Sequence, residues 1–309
     1  MNTSSSALLN AAAEAAGSQQ YPPATLYVVA TPIGNLADLS LRAIHVLSLV
    51  DAVACEDTRV SAGLMRHLGL DKPLIALHQH NEHVDAGKVL QRLAQGQRVA
   101  YVSDAGTPAV SDPGAGLVAQ AVQAGYRVLP LPGASSALAA LCVAGDVRGT
   151  GFVFVGFLPT RSTERNTALR SLLGNPLTQV LFEAPHRIDA LAEALAQAAP
   201  ARQLTLCREL TKQFETVHTL PAAELPAWLA ADANRRRGEF VLVLHARPRE
   251  AQPAVAALTP EAERVLSTLL AELPLKQAVS LACQISGAPR NVLYDEALRL
   301  KAERQADSA

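Results

Sequence analysis

The sequence of 309 residues predicts an α/β protein, with two α/β domains in series and a small C-terminal helical appendage. Three observations carry this. Short apolar runs alternate with longer amphipathic stretches over residues 26–244, the pattern of strands separated by helices. Three of those runs end in loops rich in Pro, Gly and small residues, at 31–35, 103–114 and 132–137. Beyond Thr259 the strand pattern gives way to short helical patterns alone.

Residues 1–24 are biased to Ser, Ala and Gln and lack a basic leader, so they read as a disordered tail or frayed helix rather than a signal peptide. The first α/β domain spans 25–132. Its strands fall at 26–31, 52–55, 74–77, 99–104 and 127–131, and its helices at 39–49, 59–68, 84–95 and 114–124. This alternation predicts a largely parallel sheet with helices on both faces. Pro132-Gly133 is the hinge. The second domain spans 133–247, with strands at 151–157, 179–183, 203–209, 215–219 and 239–245 and helices at 134–144, 162–173, 187–198 and 221–231. The strands around Leu206 and Val217 lie close enough to form a hairpin, so this sheet is expected to be mixed. Residues 248–258 are a Pro/Ala linker. In 259–309, Pro274 and Gly287-Ala288-Pro289 divide helices at 261–272, 276–286 and 290–302, an order resembling a helix-turn-helix.

Composition narrows the function. A hydrophobic fraction of 49% suffices for buried cores, and a net charge of −1 excludes a globally basic nucleic-acid binder, leaving RNA contact to local patches. Such patches are Arg161, Arg165 and Arg170, then Arg235 to Arg237, then the basic residues of the tail. Cys55, Cys142, Cys207 and Cys283 form no paired motif and read as buried thiols in a reducing cytosol. His78, His80 and His83 lack partner ligands, so no metal is expected. No apolar run reaches membrane length.

The loops carry the chemistry. In 103–114, two aspartates sit beside prolines and glycines after a buried-type strand. Glycine admits close approach of a ligand, and paired carboxylates suit hydroxyl or ammonium donors better than phosphate. The first loop, Thr31 to Asn35, is neither a GxGxxG turn nor a P-loop with its lysine. Ligands of open α/β sheets bind outside the carboxyl ends of strands, where all three loops fall, so a nucleoside or amino-acid pocket is expected there. The plainer alternative is a set of well-made turns, with Asp112 capping the following helix.

The first loop with its continuation (ATPIGNLADLSLRA), ACEDTR at 54–59, HQHNE at 78–82, SDAGTPAVSDPG, PGASSALAALCVAG, GFVFVGFLP at 151–159, FEAPHR at 182–187, CRELTKQFET at 207–216 and GEFVLVL at 238–244 together resemble the tetrapyrrole-methylase superfamily of S-adenosylmethionine (SAM) methyltransferases. Within it the match is to the 16S ribosomal RNA (cytidine-2′-O)-methyltransferases. The tetrapyrrole enzymes carry a GxGPGD-like first loop, which TPIGNLAD is not. The resemblance implies a class III fold with SAM in the cleft between the two α/β domains. It implies 2′-O-methylation of cytidine 1402 of 16S rRNA in the 30S subunit, a cytoplasmic homodimer, and no metal.

Carried onto this chain, the resemblance puts SAM against Pro32, Gly34, Asp104, Gly106, Thr107, Ser111, Asp112, Pro113, Ser135, Ser136 and Ala137, with Asp104 on the ribose or amino group. A ribose hydroxyl ionises far above neutral pH, so a base or nearby cation helps; Glu56, Asp57 and Lys212 are the catalytic candidates. Asp57 is equally placed to cap a helix starting near Arg59. Arg59, His78, Asn81, Glu82, Arg187 and Arg208 are the RNA-facing candidates; for Arg187, Arg208 and Lys212 the alternatives are internal ion pairing and a grip on the RNA backbone. Two other functions fit the same motifs: a precorrin-type methyltransferase, and a SAM-binding ribosome-assembly factor without catalysis.

Overall fold

The computed structural model describes residues 3–77, 82–247 and 258–306. The chain divides into two compact units, Met1–Arg247 and Pro248–Ala309.

The first unit contains two five-stranded sheets. One comprises β1 (Thr25–Val29), β2 (Ala52–Cys55), β3 (Leu74–Ala76), β4 (Val99–Val102) and β5 (Arg127–Leu131), in the order β3-β2-β4-β1-β5 with every pair parallel. Strands β2 and β4 are buried at every position, as unbroken apolar runs must be when helices cover both faces. Those helices are α1 (Thr3–Ala16), α2 (Leu41–Leu49), α3 (Thr58–His67), α4 (Glu82–Ala94) and α5 (Ala115–Gln123). Tyr27, Val29, Ile44 and Leu47 pack on one face of the sheet, Leu26, Val89, Tyr101 and Leu117 on the other.

Of the two readings of the N-terminal segment, disordered tail or frayed helix, the structure has the helix. Its Ala12 and Ala16 are buried. Leu8, Ala12 and Ala16 recur at four-residue spacing and give α1 an apolar stripe, which packs on α2. A short apolar stripe shows its value only when a partner surface exists.

The second sheet comprises β6 (Phe152–Phe157), β7 (Thr178–Glu183), β8 (Gln203–Arg208), β9 (Thr216–Pro221) and β10 (Phe240–Leu244), in the order β6-β7-β10-β8-β9. It is mixed: β6 and β7 are parallel, β10 runs antiparallel to both neighbours, and β8 and β9 form a hairpin. Helices α7 (Ser162–Gly174), α8 (Ile188–Ala198) and α9 (Leu225–Ala230) belong to this half. Leu191 and Leu195 of α8 and Leu225 of α9 pack with Leu206 and Leu242 of the sheet. Pro226 opens α9, so the segment expected as one helix at 221–231 is a 3₁₀ turn followed by a six-residue helix. Helix α6 (Ser136–Ala144) covers the other face through Ala137, Ala140 and Ala144. Ile33, from the loop after β1, joins that same cluster beside Val180 and Val241, and so ties the two halves into one unit.

The second unit contains α10 (Pro260–Glu272), α11 (Leu275–Ser286) and α12 (Arg290–Ala306). Thr259 caps α10 by accepting from the Ala262 N–H, and Gly287, at φ 68°, ends α11. Leu258, Leu266, Val279, Leu293 and Ala297 give this unit its own core. The linker, at 248–257, lies outside the described residues. Of the four cysteines, Cys55 and Cys207 are buried as expected, Cys283 is half-buried and Cys142 is exposed.

Candidate functional site

The carboxyl ends of β1, β4 and β5 bring the three small-residue loops together. Thr31 and Gly106 exchange backbone hydrogen bonds of 2.9 and 3.0 Å, and the Thr31 hydroxyl donates to the Ser103 carbonyl at 3.1 Å. The Thr107 hydroxyl donates to the Ala134 carbonyl at 3.0 Å, joining the second loop to the third. Within 103–114 the backbone is held in left-handed conformations at two non-glycine residues, Ala109 (φ 64°) and Ser111 (φ 62°). Such strain persists only where the surroundings over-determine it, and it concentrates at functional sites. Gly114 (φ 118°) lies against the buried Tyr101 ring, where a Cβ would come within 2.1 Å of a ring carbon.

Two clefts open at these strand ends, each of about 360 Å³ and each within the range of small-molecule sites. Gly106, Thr107, Ser111, Asp112, Ser135 and Ser136 line the first. Its opposite wall comes from the second sheet: Phe182, Glu183, Ala184, Leu210 and Phe240. Pro32, Gly34 and Asp104 line the second cleft instead, with Leu64 of α3 and Lys212. Ile33, Ala105 and Glu239 border both. The residues expected together at SAM thus divide between two adjacent spaces. Pro113 and Ala137 line neither: the Pro113 carbonyl accepts from the Tyr101 hydroxyl, and Ala137 packs under the second sheet.

Sequence reasoning did not place the second-sheet wall at the first cleft. The signal was FEAPHR, a polar run directly after an apolar strand, which was read only for its charged residues. Glu183 has a fully buried side chain. Its Oε1 accepts from Arg187 Nε at 3.1 Å and from the Ala184 N–H at 2.9 Å, while Oε2 is buried with no hydrogen-bond partner. A buried carboxylate oxygen left unsatisfied at a cleft wall is the kind of group a ligand's amine would complete.

The charged candidates separate by environment. Asp57 caps α3, accepting from the Arg59 N–H at 2.8 Å and from the Arg59 guanidinium at 2.6 Å. Those bonds from Arg59 hold its carboxyl at about 2, too weak a base for a hydroxyl proton. Burial, then Asp104 and Asp57, raise Glu56. Burial, then Glu56 and Asp104, push Asp112 up to about 6 against a lowering bond from Ser103. Helix α5 begins at Gly114 without a side-chain cap, so Asp112 is not the cap that the alternative reading expected. Asp104 Oδ1 accepts from the Asp57 N–H at 3.1 Å and so fixes the turn after β2.

Lys212 reaches from the β8–β9 turn, where Glu209 (φ 51°) and Thr211 (φ 67°) are also left-handed, across to Gly34. Its Nζ donates to Glu209 at 2.9 Å and Glu239 at 3.0 Å. Burial alone would lower it, but these two carboxylates outweigh burial and hold it above its ordinary value, so it remains an ammonium.

Two RNA-facing candidates are spent inside the protein. Arg187, with only 15% of its side chain exposed, holds Glu183 and donates to the Leu158 and Pro159 carbonyls. Arg208 donates to the carbonyls of Phe214 and Arg237 and to the Thr216 hydroxyl, bracing the hairpin. Arg59 is exposed apart from its pairing with Asp57. His78 and Asn81, and the side chain of Glu82, lie outside the described residues.

Residues 25–226 match the family of tetrapyrrole (corrin/porphyrin) methylases, and residues 256–301 match the RsmI C-terminal HTH domain. The chain is 48% identical to the ribosomal RNA small subunit methyltransferase I of Pseudomonas aeruginosa, over 89% of this chain and 97% of that protein. It is 46% identical to that of Neisseria meningitidis serogroup B, over 90% and 94%. Among solved structures, diphthine synthase superposes with a TM-score of 0.54 at 16% identity over 72% of this chain and 90% of that one. The uroporphyrin-III C-methyl transferase from Thermus thermophilus complexed with S-adenyl homocysteine gives 0.51 at 18% over 71% and 96%. These last two establish the fold.

Proposed function

The chain belongs to the tetrapyrrole (corrin/porphyrin) methylase family and, within it, to the family of ribosomal RNA small subunit methyltransferases I, and on that premise we propose that it transfers a methyl group from SAM to a ribose hydroxyl of 16S rRNA. The acceptor in this reading is the 2′-hydroxyl of cytidine 1402, presented by the 30S subunit. The observation that carries the reading is the first cleft, where strained loops of one sheet face an unsatisfied buried carboxylate of the other.

The residues there fit the donor. Phe182, Leu210 and Phe240 offer apolar walls for a purine, and Glu183 Oε2 offers an acceptor for an exocyclic amine. Asp112 places negative charge where a ligand with ammonium and sulfonium groups would lie. When bound, SAM supplies a methyl group on a positively charged sulfur. The chain's own work is then positional. The laced loops and Ile33 hold donor and acceptor in line, an arrangement that can supply much of the barrier reduction. With SAM bound, it would supply the methyl group and depart as the neutral thioether, and Glu56 and Asp104, the carboxylates at the ends of β2 and β4, would receive the hydroxyl proton. Asp57 is occupied by Arg59, and Lys212 is a cation rather than a base.

A homodimer belongs to the same reading. Leu138 and Val143 of α6 and Phe152 of the edge strand β6 are apolar and about half exposed, surface of the kind a second copy covers. Sedimentation measures it directly.

The function is tested with methyl-labelled SAM and 30S subunits lacking the modification, followed by mapping of the label. Label on a cytidine ribose is the expected result. Label on a base, or none, refutes the reading; label on a tetrapyrrole instead would restore the precorrin alternative. Binding of SAM and 30S without turnover would favour a non-catalytic assembly factor.

A further inference from the structure

The second cleft differs in chemistry from the first. Its floor is the loop after β1, with Pro32 and Gly34, and one wall is the exposed face of α3. Leu36 and Val60 line it and are 49% and 46% exposed, large apolar side chains left open beside the site. Its charged groups are Asp104, Glu239 and the Lys212 ammonium, and Thr31, Ser61, Ser103 and His67 also line it. Ile33, Ala105 and Glu239 form the shared border with the first cleft, so a group in one lies next to a group in the other.

We propose that this second cleft is the acceptor subsite and takes a single nucleoside unit of RNA, displaced from its neighbours, with the base against Leu36 and Val60, its exocyclic amine toward Glu239 and its ribose toward Asp104. Flat apolar surface suits the face of any base. A carboxylate accepts from the 4-amino group of cytosine, which uracil lacks. Lys212, held in place by Glu209 and Glu239 and packed on Gly34, keeps a positive charge at the cleft without being able to take the hydroxyl proton. The inference rests on the methyltransferase reading and adds to it where the acceptor sits and which groups select it.

Gly63 provides the test. It lines this cleft from α3, and a Cβ there would meet no atom within 4 Å. Gly63→Leu therefore starts from an unhindered Cβ, projects its side chain into the cleft and improves helix propensity. Gly87, on α4, also has open space for a Cβ and lines neither cleft, so Gly87→Leu is the control. Three quantities are read on the full chain: melting temperature, SAM affinity by calorimetry, and methyl transfer to unmodified 30S subunits. The expected result for Gly63→Leu is an unchanged or higher melting temperature, SAM affinity within about twofold, and methyl transfer lower by about a hundredfold, the scale of a displaced reacting group. Gly87→Leu keeps all three. Full methyl transfer by Gly63→Leu overturns the assignment. Parallel loss of SAM affinity overturns it too, by making the second cleft part of the donor site. A wild-type chain that transfers no methyl group sinks the methyltransferase reading itself, before any variant is compared.

Discussion

Asp112→Asn should make the protein more stable and worse at its work. The carboxyl of Asp112 sits at about 6 against an ordinary 3.8, because burial and the neighbouring carboxylates Glu56 and Asp104 disfavour its charge. At about 1.4 kcal/mol per tenfold, that shift corresponds to roughly 3 kcal/mol. Asp112 is only half-buried, so solvent screening reduces the usable figure to about 1–2 kcal/mol. The folded pKa lies above the unfolded one. The folded state therefore keeps a proton that the unfolded state has already released, and the stability this brings is complete below the unfolded value and lost as pH rises through 6. Asparagine is neutral at every pH and nearly the same shape. Urea unfolding at pH 8 should find the variant more stable by about 1–2 kcal/mol, and at pH 4 the gap should close. SAM affinity at pH 8 should move the other way, since a negative charge facing a cationic ligand is gone. A stability gap independent of pH, or a variant less stable at pH 8, would refute the reasoning.

Three other outcomes follow from the same geometry. Arg187→Ala leaves the Glu183 carboxylate buried without its partner and should cost about 3 kcal/mol or more in chemical denaturation, while any loss of 30S affinity should be no larger than the loss of folded protein. Gly34→Ala sets a Cβ 2.5 Å from Lys212 Cγ at φ 148°, so methyl transfer should fall by about tenfold or more; adding Lys212→Ala removes the clash but not the backbone strain, and a double variant no more active than Lys212→Ala alone is the expected readout. Truncation after Arg249 should leave a cooperative unfolding transition and SAM binding intact, because the tail has a core of its own, and should weaken 30S binding most at low salt, with a flatter salt dependence than the full chain; loss of SAM binding together with lower melting would show that the tail stabilises the first unit instead.

Much of this protein is determined by sequence alone. Short apolar runs such as Val99 to Val102, bounded by turn residues, read as inner strands of a covered sheet, and loops such as 31–35 and 103–114 declare themselves through residues that regular structure avoids. Motif resemblance sufficed for the family. What the sequence could not decide depends on contacts between distant segments. Helix α1 needed the surface of α2 to become more than a tail. Whether Arg187 and Arg208 face RNA or the interior was open until Glu183, Phe214 and Arg237 were seen to hold them. The division of the expected SAM residues between two clefts was invisible for the same reason. Pro32, Gly34 and Asp104 lie on the same loops as residues of the first cleft, and only the approach of Ile33, Lys212 and Glu239 across the space between the sheets partitions it. Local propensity is written residue by residue, whereas a side chain's partner and the border of a cavity are set by chain segments that meet only on folding.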